Sequence, residues 1–235
     1  GLLEQYTSKG VSFFEKGPTP HFWRAPVDND WGYQMPLEMG GWRHAGAEAR
    51  CQSTQWSIHP ESTTAFTVKT MLDLLGGAAQ YLIEYTINDR GAVQVKSIFI
   101  PKSNELPLMP RQGMHLNLAP QFDQMEWLGR GPIENYPDRK TAAQVGLYRS
   151  TVEEQYVPYL SPQENGNKEE VQWVSFQNEA GQGVRFSGAP TFGMTALWYS
   201  PEELTQAARG SRHPYELITG ESISLCIDHR QMGID

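Results

Sequence analysis

Any chemistry in this sequence has to come from a few crowded polar segments. The first is Phe22-Trp23-Arg24-Ala25-Pro26-Val27-Asp28-Asn29-Asp30-Trp31-Gly32, where two carboxylates, an amide and a guanidinium stand between two tryptophans. Flat aromatic faces stack on the C–H faces of sugar rings, and carboxylates and amides bond hydroxyls, so this mixture suits a carbohydrate. Asp-Asn-Asp is equally turn chemistry, because short polar side chains bond their own backbone. On residue types alone, carboxylates that satisfy Arg24 and nearby amides are the favoured reading. Gly32 permits a positive φ or a close backbone approach. The second segment is Trp127-Leu128-Gly129-Arg130-Gly131-Pro132-Ile133-Glu134-Asn135-Tyr136-Pro137-Asp138-Arg139, and the third is Tyr159-Leu160-Ser161-Pro162-Gln163-Glu164-Asn165-Gly166-Asn167. Both mix rigid prolines with charges that could pair internally, such as Asp138 with Arg139 or Arg130 with Glu134. Both read as structural buttresses.

Other chemistries find little support. The histidines are His21, His44, His59, His115, His213 and His229; no two of them stand three or four positions apart, and Cys226, three before His229, is the one cysteine at such a spacing. There is no HExxH and no calcium loop, so no local metal site is expected. No GxSxG elbow is present. Gly129-Arg130-Gly131 runs into Pro132 rather than opening a helix around a phosphate. Neighbouring glutamates at Glu153-Glu154, Glu169-Glu170 and Glu202-Glu203 face opposite ways in strands or loops and read as solvated charges. A glycosidase needs two carboxylates about 5 to 9.5 Å apart across a sugar ring. Sequence spacing nominates no such pair.

The elements that must position these segments are mostly strands. Tyr81, Ile83, Tyr85 and Ile87 alternate with Leu82, Glu84, Thr86 and Asn88, which is the period of a half-buried strand. Asn88-Asp89-Arg90-Gly91 reads as a turn into Val93–Phe99. Upstream, Thr64 to Leu75 ends on Gly76-Gly77, a hairpin signal. Residues 64 to 100 therefore read as a three-strand antiparallel meander. Val171–Gln177, Val184–Ser187, Thr191–Tyr199 and Ser222–Asp228 are further strands, the last with Ile223, Leu225 and Ile227 inward. Ser200-Pro201-Glu202-Glu203 has the form of a helix start, with a Ser cap, Pro at the first position and Glu203 closing a capping box. That helix is expected to reach Arg209 and stop at Gly210. A second short helix is expected near Pro36–His44.

Composition bounds the rest. The 235 residues carry 19 basic and 27 acidic side chains, a net charge of −8, which offers no basic excess for a nucleic acid. No apolar run approaches the roughly 18 residues of a membrane span. The first residues lack the form of a signal peptide. Two cysteines, Cys51 and Cys226, cannot build a disulfide framework and read as small buried apolar residues. The 22 glycines and 16 prolines fit many short strands joined by tight turns. No linker or repeat interrupts the chain. A single all-β domain over 1–235, a sandwich of antiparallel sheets with one or two short helices, is the expectation.

Together the segments resemble the C-terminal domain of the large β-galactosidases of glycoside hydrolase family 2, the β-galactosidase small chain. Five stretches carry the resemblance in family order: Phe22-Trp23-Arg24-Ala25-Pro26-x-Asp28-Asn29-Asp30-x-Gly32; Trp127-Leu128-Gly129-x-Gly131-Pro132-x-Glu134-Asn135-Tyr136-Pro137-Asp138-Arg139; Tyr159-x-x-Pro162-Gln163-Glu164-Asn165-Gly166; Arg212-His213-Pro214-Tyr215-Glu216-Leu217; and Ile227-Asp228-x-x-Gln231-Met232-Gly233. The resemblance implies a large antiparallel β-supersandwich of the galactose mutarotase-like kind. It makes Trp23, Arg24, Glu134, Asn135, Tyr136, Asp138, Arg139, Glu164, Asn165 and His213 structural signature residues. It places Asp28, Asn29, Asp30, Gly32, Tyr33 and Gln34 in a loop bordering the substrate pocket, although the loop diverges from the family after Gly32. Ser211 stands where the family often has a second His.

The same resemblance implies that the acid/base and nucleophile glutamates, with a magnesium ion, belong to a central β/α barrel that this sequence does not contain. No catalytic residue, metal or cofactor is expected here, and the fragment alone is expected to be inactive. Its partners are expected to be the other domains of one retaining β-galactosidase acting on galactosides such as lactose, in a parent expected to be a cytoplasmic (or periplasmic) homo-oligomer. A free-standing sugar-binding module or a mutarotase-like epimerase is the alternative. Gly1-Leu2-Leu3 resembles the second strand of the family's opening hairpin, and the family continues beyond Gly233. The domain therefore reads as trimmed at both ends, with sheet edges left unpaired.

Overall fold

The computed structural model describes residues 1–58 and 64–234; His59 and Asp235 lie outside the described residues. A small hairpin, β1 (Thr7–Ser8) with β2 (Val11–Ser12), precedes β3 (Phe14–His21). After a loop with a 3₁₀ turn (Asp28–Trp31) and the short helix α1 (Met35–Glu38) come β4 (Arg50–Ile58), β5 (Phe66–Leu74), β6 (Ala79–Ile87) and β7 (Val93–Pro101). The chain continues through β8 (Arg111–Leu118), β9 (Gln124–Gly131), β10 (Gln144–Thr151), β11 (Lys168–Gln177), β12 (Gly183–Leu197), helix α2 (Pro201–Ala207) and β13 (Ile223–Gln231). Beside the β1-β2 hairpin, the described residues form two larger antiparallel sheets: a seven-stranded one in the order β10-β9-β11-β12-β13-β8-β3, and the four-stranded meander β4-β5-β6-β7. This is the all-β sandwich expected from the sequence. Among the described residues no helix is long and apolar enough to cross a membrane.

The period-two strands fold as read. Tyr81, Ile83 and Tyr85 are buried on one face of β6, and Asn88 Oδ1 accepts from the backbone N–H of Arg90 and of Ala92, closing the turn into β7. The meander has a fourth strand, β4, all nine of whose residues are exposed. It escapes the alternation test because no face of it is buried. The two strand candidates at 184–187 and 191–199 are one strand, β12, paired with β11 across register shifts at Val171. β13 is buried on both faces, since Ser224, Cys226 and Asp228 are covered along with Ile223 and Leu225; it is an inner strand between β12 and β8.

The helix signals need correction at both ends of α2. Ser200 Oγ accepts from the Glu203 N–H at 3.0 Å, as a cap should. Glu203 does not return to the cap; its carboxylate holds Arg212 and the Ile218 N–H. The helix ends at Ala207, and the left-handed pair Arg209 (φ 59°) and Gly210 (φ 74°) follows. Two cores form. One lies on the seven-stranded sheet around Trp127, Phe176, Phe122 and Leu225. The other joins the meander to Phe22, Trp23, Met35 and Trp42. Cys226 is buried but Cys51 is exposed, against the expectation that both are core residues.

Candidate functional site

The loop after β3 starts from buried residues and ends on exposed ones. Phe22, Trp23, Arg24, Ala25 and Val27 are buried, which anchors the loop; Asp28 and Asn29 then emerge, and Asp30 turns back inside. Arg24 is wholly covered. Its Nη1 and Nη2 donate to Asp30 Oδ2 and Oδ1 at 2.7 and 3.0 Å, a two-pronged pair of the kind guanidinium geometry favours. Asp30 also accepts from the Val27 N–H at 2.7 Å and from Tyr33 Oη at 2.5 Å. Partial burial, and after it this hydrogen bond, push the Tyr33 phenol up to about 12. Asp30 is therefore the carboxylate that satisfies Arg24 and nearby amides, and it does not face solvent.

Two readings left open by the sequence are decided in this loop, where a Cβ on Gly32 would stand 3.3 Å from Asn29 O. Trp23 is 2% exposed and its Nε1 donates to Thr205 Oγ1, so its ring cannot stack on a sugar. Gly32 has φ −65°, so it needs no left-handed freedom; Gln34, at φ 58°, takes that conformation instead. Trp31 is half-buried, with the Arg209 guanidinium 5.0 Å from its ring.

The second and third segments meet the first. Glu134, nearly covered, accepts from Arg139 Nη2 at 2.6 Å, from Tyr159 Oη and from the Gly166 N–H at 2.8 Å. The expected Arg130–Glu134 pair does not form, because Arg130 points along the sheet to Glu170, which also takes Lys140. Nor are the neighbouring glutamates merely solvated: Glu202 pairs with Arg43, Glu203 with Arg212 and Glu170 with two cations. Asn135 and Asn167 bind each other's backbone, and Asn135 Oδ1 accepts from the Glu169 N–H. Asn165 Oδ1 accepts from the Val157 N–H. Residues 162–168 are all buried, an unusual state for a loop, made possible by these side-chain partners for its backbone. Tyr136 is fully buried and burial drives its phenol well above its ordinary value.

Gln163 joins the third segment to the first, and the chain after β13 bridges the first to the second. Gln163 Oε1 accepts from the Asp28 N–H and its Nε2 donates to Asp28 Oδ2, both at 3.2 Å. Arg24 Nη2 donates to Gly233 O at 2.8 Å, and Asn29 Nδ2 donates to Ile234 O at 2.9 Å. Asp138 Oδ2 accepts from the Ile234 N–H at 2.7 Å. The segment after β13 is thus strapped between Asn29 and Asp138. A polar cleft lined by Asp28, Asn29, Arg139, Tyr159, Gln163 and Ile234 opens there. His213 lies apart, exposed and stacked on Tyr215.

Under the cleft lies a network that residue spacing does not announce. Arg111, on β8, is wholly buried; its Nη2 donates to Glu164 at 2.6 Å and to Gln231 at 2.9 Å, and its Nε lies 3.3 Å from Asp228 Oδ2 without hydrogen-bond geometry. Burial opposes the Arg111 charge, but Asp228 and Glu164 outweigh it and hold the guanidinium above its ordinary range. At Asp228 burial wins: only partly countered by Arg111, it pushes the carboxyl up to about 7. Lys168 is lowered to about 8 by burial; its Nζ donates to Gly166 O. Arg111 sits in no motif, so only the topology that sets β8 beside β13 reveals it. Among the described residues no group of three His, Cys, Asp or Glu side chains could hold a metal ion.

What the arrangement can do is hold three exposed polar groups, Asp28, Asn29 and Arg139, rigidly at the rim of a cleft. Comparison with known proteins accounts for the pattern. The family model described as "Beta galactosidase small chain" matches residues 1–235. The chain is 34% identical to a β-galactosidase of Priestia megaterium over its whole length and 33% identical to one of Pseudoalteromonas haloplanktis. A Streptococcus thermophilus β-galactosidase is 31% identical over 96% of the chain. In the first two the chain spans only 22% of the relative's length, and in the third 21%. The chain belongs to the β-galactosidase small chain family.

Proposed function

We propose that this chain is an accessory domain of a longer retaining β-galactosidase and that its 28–34 loop borders the galactoside pocket. The observation that carries the reading is the convergence of the three polar segments. Asp28 and Asn29 are exposed, while every group behind them, from Asp30 and Arg24 to Gln163 and Glu134, is engaged in holding them still. Pre-ordered polar groups bind a hydroxylated ligand without the entropic cost of ordering a loop. The relatives named β-galactosidase, several times longer than this chain, support the wider setting.

In this reading the domain supplies no acid/base or nucleophile. Those carboxylates, and the magnesium ion, belong to the barrel portion of the longer polypeptide. The bond is cleaved there by double displacement through a glycosyl intermediate. This chain binds and orients: Asp28 accepts from sugar hydroxyls, Asn29 donates or accepts, and the strap at Ile234 fixes their spacing. The test is kcat/KM of the longer polypeptide on a nitrophenyl β-galactoside with and without residues 1–235. Loss on removal is expected; unchanged kcat/KM would refute the role. Titration of galactose or lactose against the isolated chain separates this role, which predicts no binding, from a free-standing sugar-binding module, which would bind at millimolar concentration or below.

A further inference from the structure

A second cleft, of about 530 Å³, opens beside the one at Asp28 and Asn29. The two share a wall: Arg139 and Tyr159 line both, and Arg139 Nη2 donates to Tyr159 Oη at 3.2 Å. Beyond that partition the lining includes Ile133, Lys140, Thr141 and Ala142. Its backbone is held from behind. Tyr136 and Arg139 exchange backbone hydrogen bonds at 3.1 and 3.0 Å, and Asn135 Nδ2 donates to Ile133 O at 3.0 Å. Arg130 Nη1 donates to Lys140 O and Ala143 O at 3.2 and 2.8 Å. A cleft framed in this way meets a ligand without the cost of ordering a loop.

The charges in the lining disfavour an ion as occupant. Arg139 is paired with Glu134 and Lys140 with Glu170, so each cation is already neutralised by a carboxylate of the protein. An anion would have to displace one of those carboxylates, and a metal ion would meet the guanidinium and the ammonium. What is left over suits hydroxyls. Both bonds from Arg139 to protein side chains come from Nη2, which leaves Nε and Nη1 as donors on a side chain 48% exposed. Thr141 is exposed and adds a hydroxyl that donates or accepts. Ile133, 54% exposed, and Ala142 give an apolar patch for C–H groups. An apolar seat with a few fixed polar groups is the usual make-up of a small-molecule site.

We infer that the cleft at Ile133, Thr141 and Ala142 is a saccharide subsite, which holds a neutral sugar residue on the leaving-group side of a galactoside. The inference rests on the reading above that the 28–34 loop borders the galactoside pocket. An enzyme that removes a terminal galactose encloses that ring, so a longer substrate extends only through its leaving group. In this arrangement a disaccharide ends at the partition of Arg139 and Tyr159, and the third sugar of a trisaccharide crosses it. Contacts to that third sugar are the same in the ground and transition states, so they lower KM rather than raise kcat.

Steady-state kinetics of the full-length polypeptide on two substrates test this: a terminal β-galactosyl disaccharide, and the same disaccharide carrying one further neutral sugar at its reducing end. The ratio of the two kcat/KM values within one protein cancels any general change in activity or folded fraction. The wild type should favour the trisaccharide about fivefold or more, through KM. Ala142→Trp, which fills the cleft, and Ile133→Asp, which removes its apolar seat, should each bring the ratio to about one. Both positions are exposed, so the fold should survive the changes. A wild-type ratio within about twofold of one, or a preference kept by either variant, would overturn the inference. Asp28→Ala separates the two readings. If it leaves hydrolysis of both substrates untouched while Ala142→Trp still abolishes the preference, the subsite stands and the proposed place of the 28–34 loop falls. If it slows both while the wild-type ratio is about one, the loop stands and the subsite falls.

Discussion

Removing either member of the Arg24–Asp30 pair should expose how far the candidate loop depends on it. Asp30 is 2% exposed and accepts four hydrogen bonds, two from Arg24 and one each from the Val27 N–H and Tyr33 Oη. Asp30→Ala leaves a wholly buried guanidinium with only the Ala25 and Gly233 carbonyls as partners. An uncompensated buried charge costs about 3 to 5 kcal/mol. Arg24→Met strands the carboxylate instead and should cost a similar amount. Because each single change already forfeits the pair, the double variant Arg24→Met/Asp30→Ala should be no worse than either single one. That corresponds to a coupling energy of about 3 kcal/mol. Urea unfolding of the four proteins, read as midpoints at constant slope, measures this directly. Single variants costing less than about 1 kcal/mol, or a double variant equal to the sum of the singles, would refute the argument that this pair organises the loop.

The buried Asp228 carboxyl gives a pH signature. Its folded value of about 7 stands above the unfolded 3.8, so its stability contribution is full below about pH 4 and is lost as pH rises through about 7. Asp228→Asn removes that loss, and the stability of the variant relative to wild type should climb between pH 4 and 7 by an amount on the order of 4 kcal/mol; a flat difference across that range would contradict it. Ser200→Ala deletes the bond to the Glu203 N–H and should cost about 1 kcal/mol, read from the thermal midpoint.

The legible parts of the fold are those where one face is buried and the other is not. β6 alternates cleanly because Tyr81, Ile83 and Tyr85 meet a core while Leu82 and Glu84 are only half-buried. β4 is exposed on both faces and carries no such signal; β13 is legible as a strand from Ile223, Leu225 and Ile227, but its burial on both faces, and so its inner place in the sheet, does not follow from pattern alone. The Ser200 cap is local and was legible; the fate of Glu203 was not, because Arg212 and Ile218 compete for it from beyond the helix.

The site divides in the same way. Asp30 was legible as a partner of Arg24, six residues away, and the three polar segments stood out by composition. Their meeting did not, since Gln163 reaches Asp28 across 135 positions and Asn29 reaches Ile234 across 205. Trp23 has the residue type of a sugar platform but the burial of a core residue. Arg111 shows no local signal, because what makes it central is the placement of β8 beside β13 and of Glu164 above both.

Asp28 and Asn29 are proposed to stand at a galactoside pocket. This placement is tested most directly by steady-state kinetics of the full-length polypeptide carrying Asp28→Ala and Asn29→Ala on a nitrophenyl β-galactoside. Both side chains are exposed, so the fold should survive their loss. kcat/KM should fall at least about tenfold, mainly through KM, because these groups bind and orient rather than transfer protons. A kcat/KM within about twofold of wild type would contradict it.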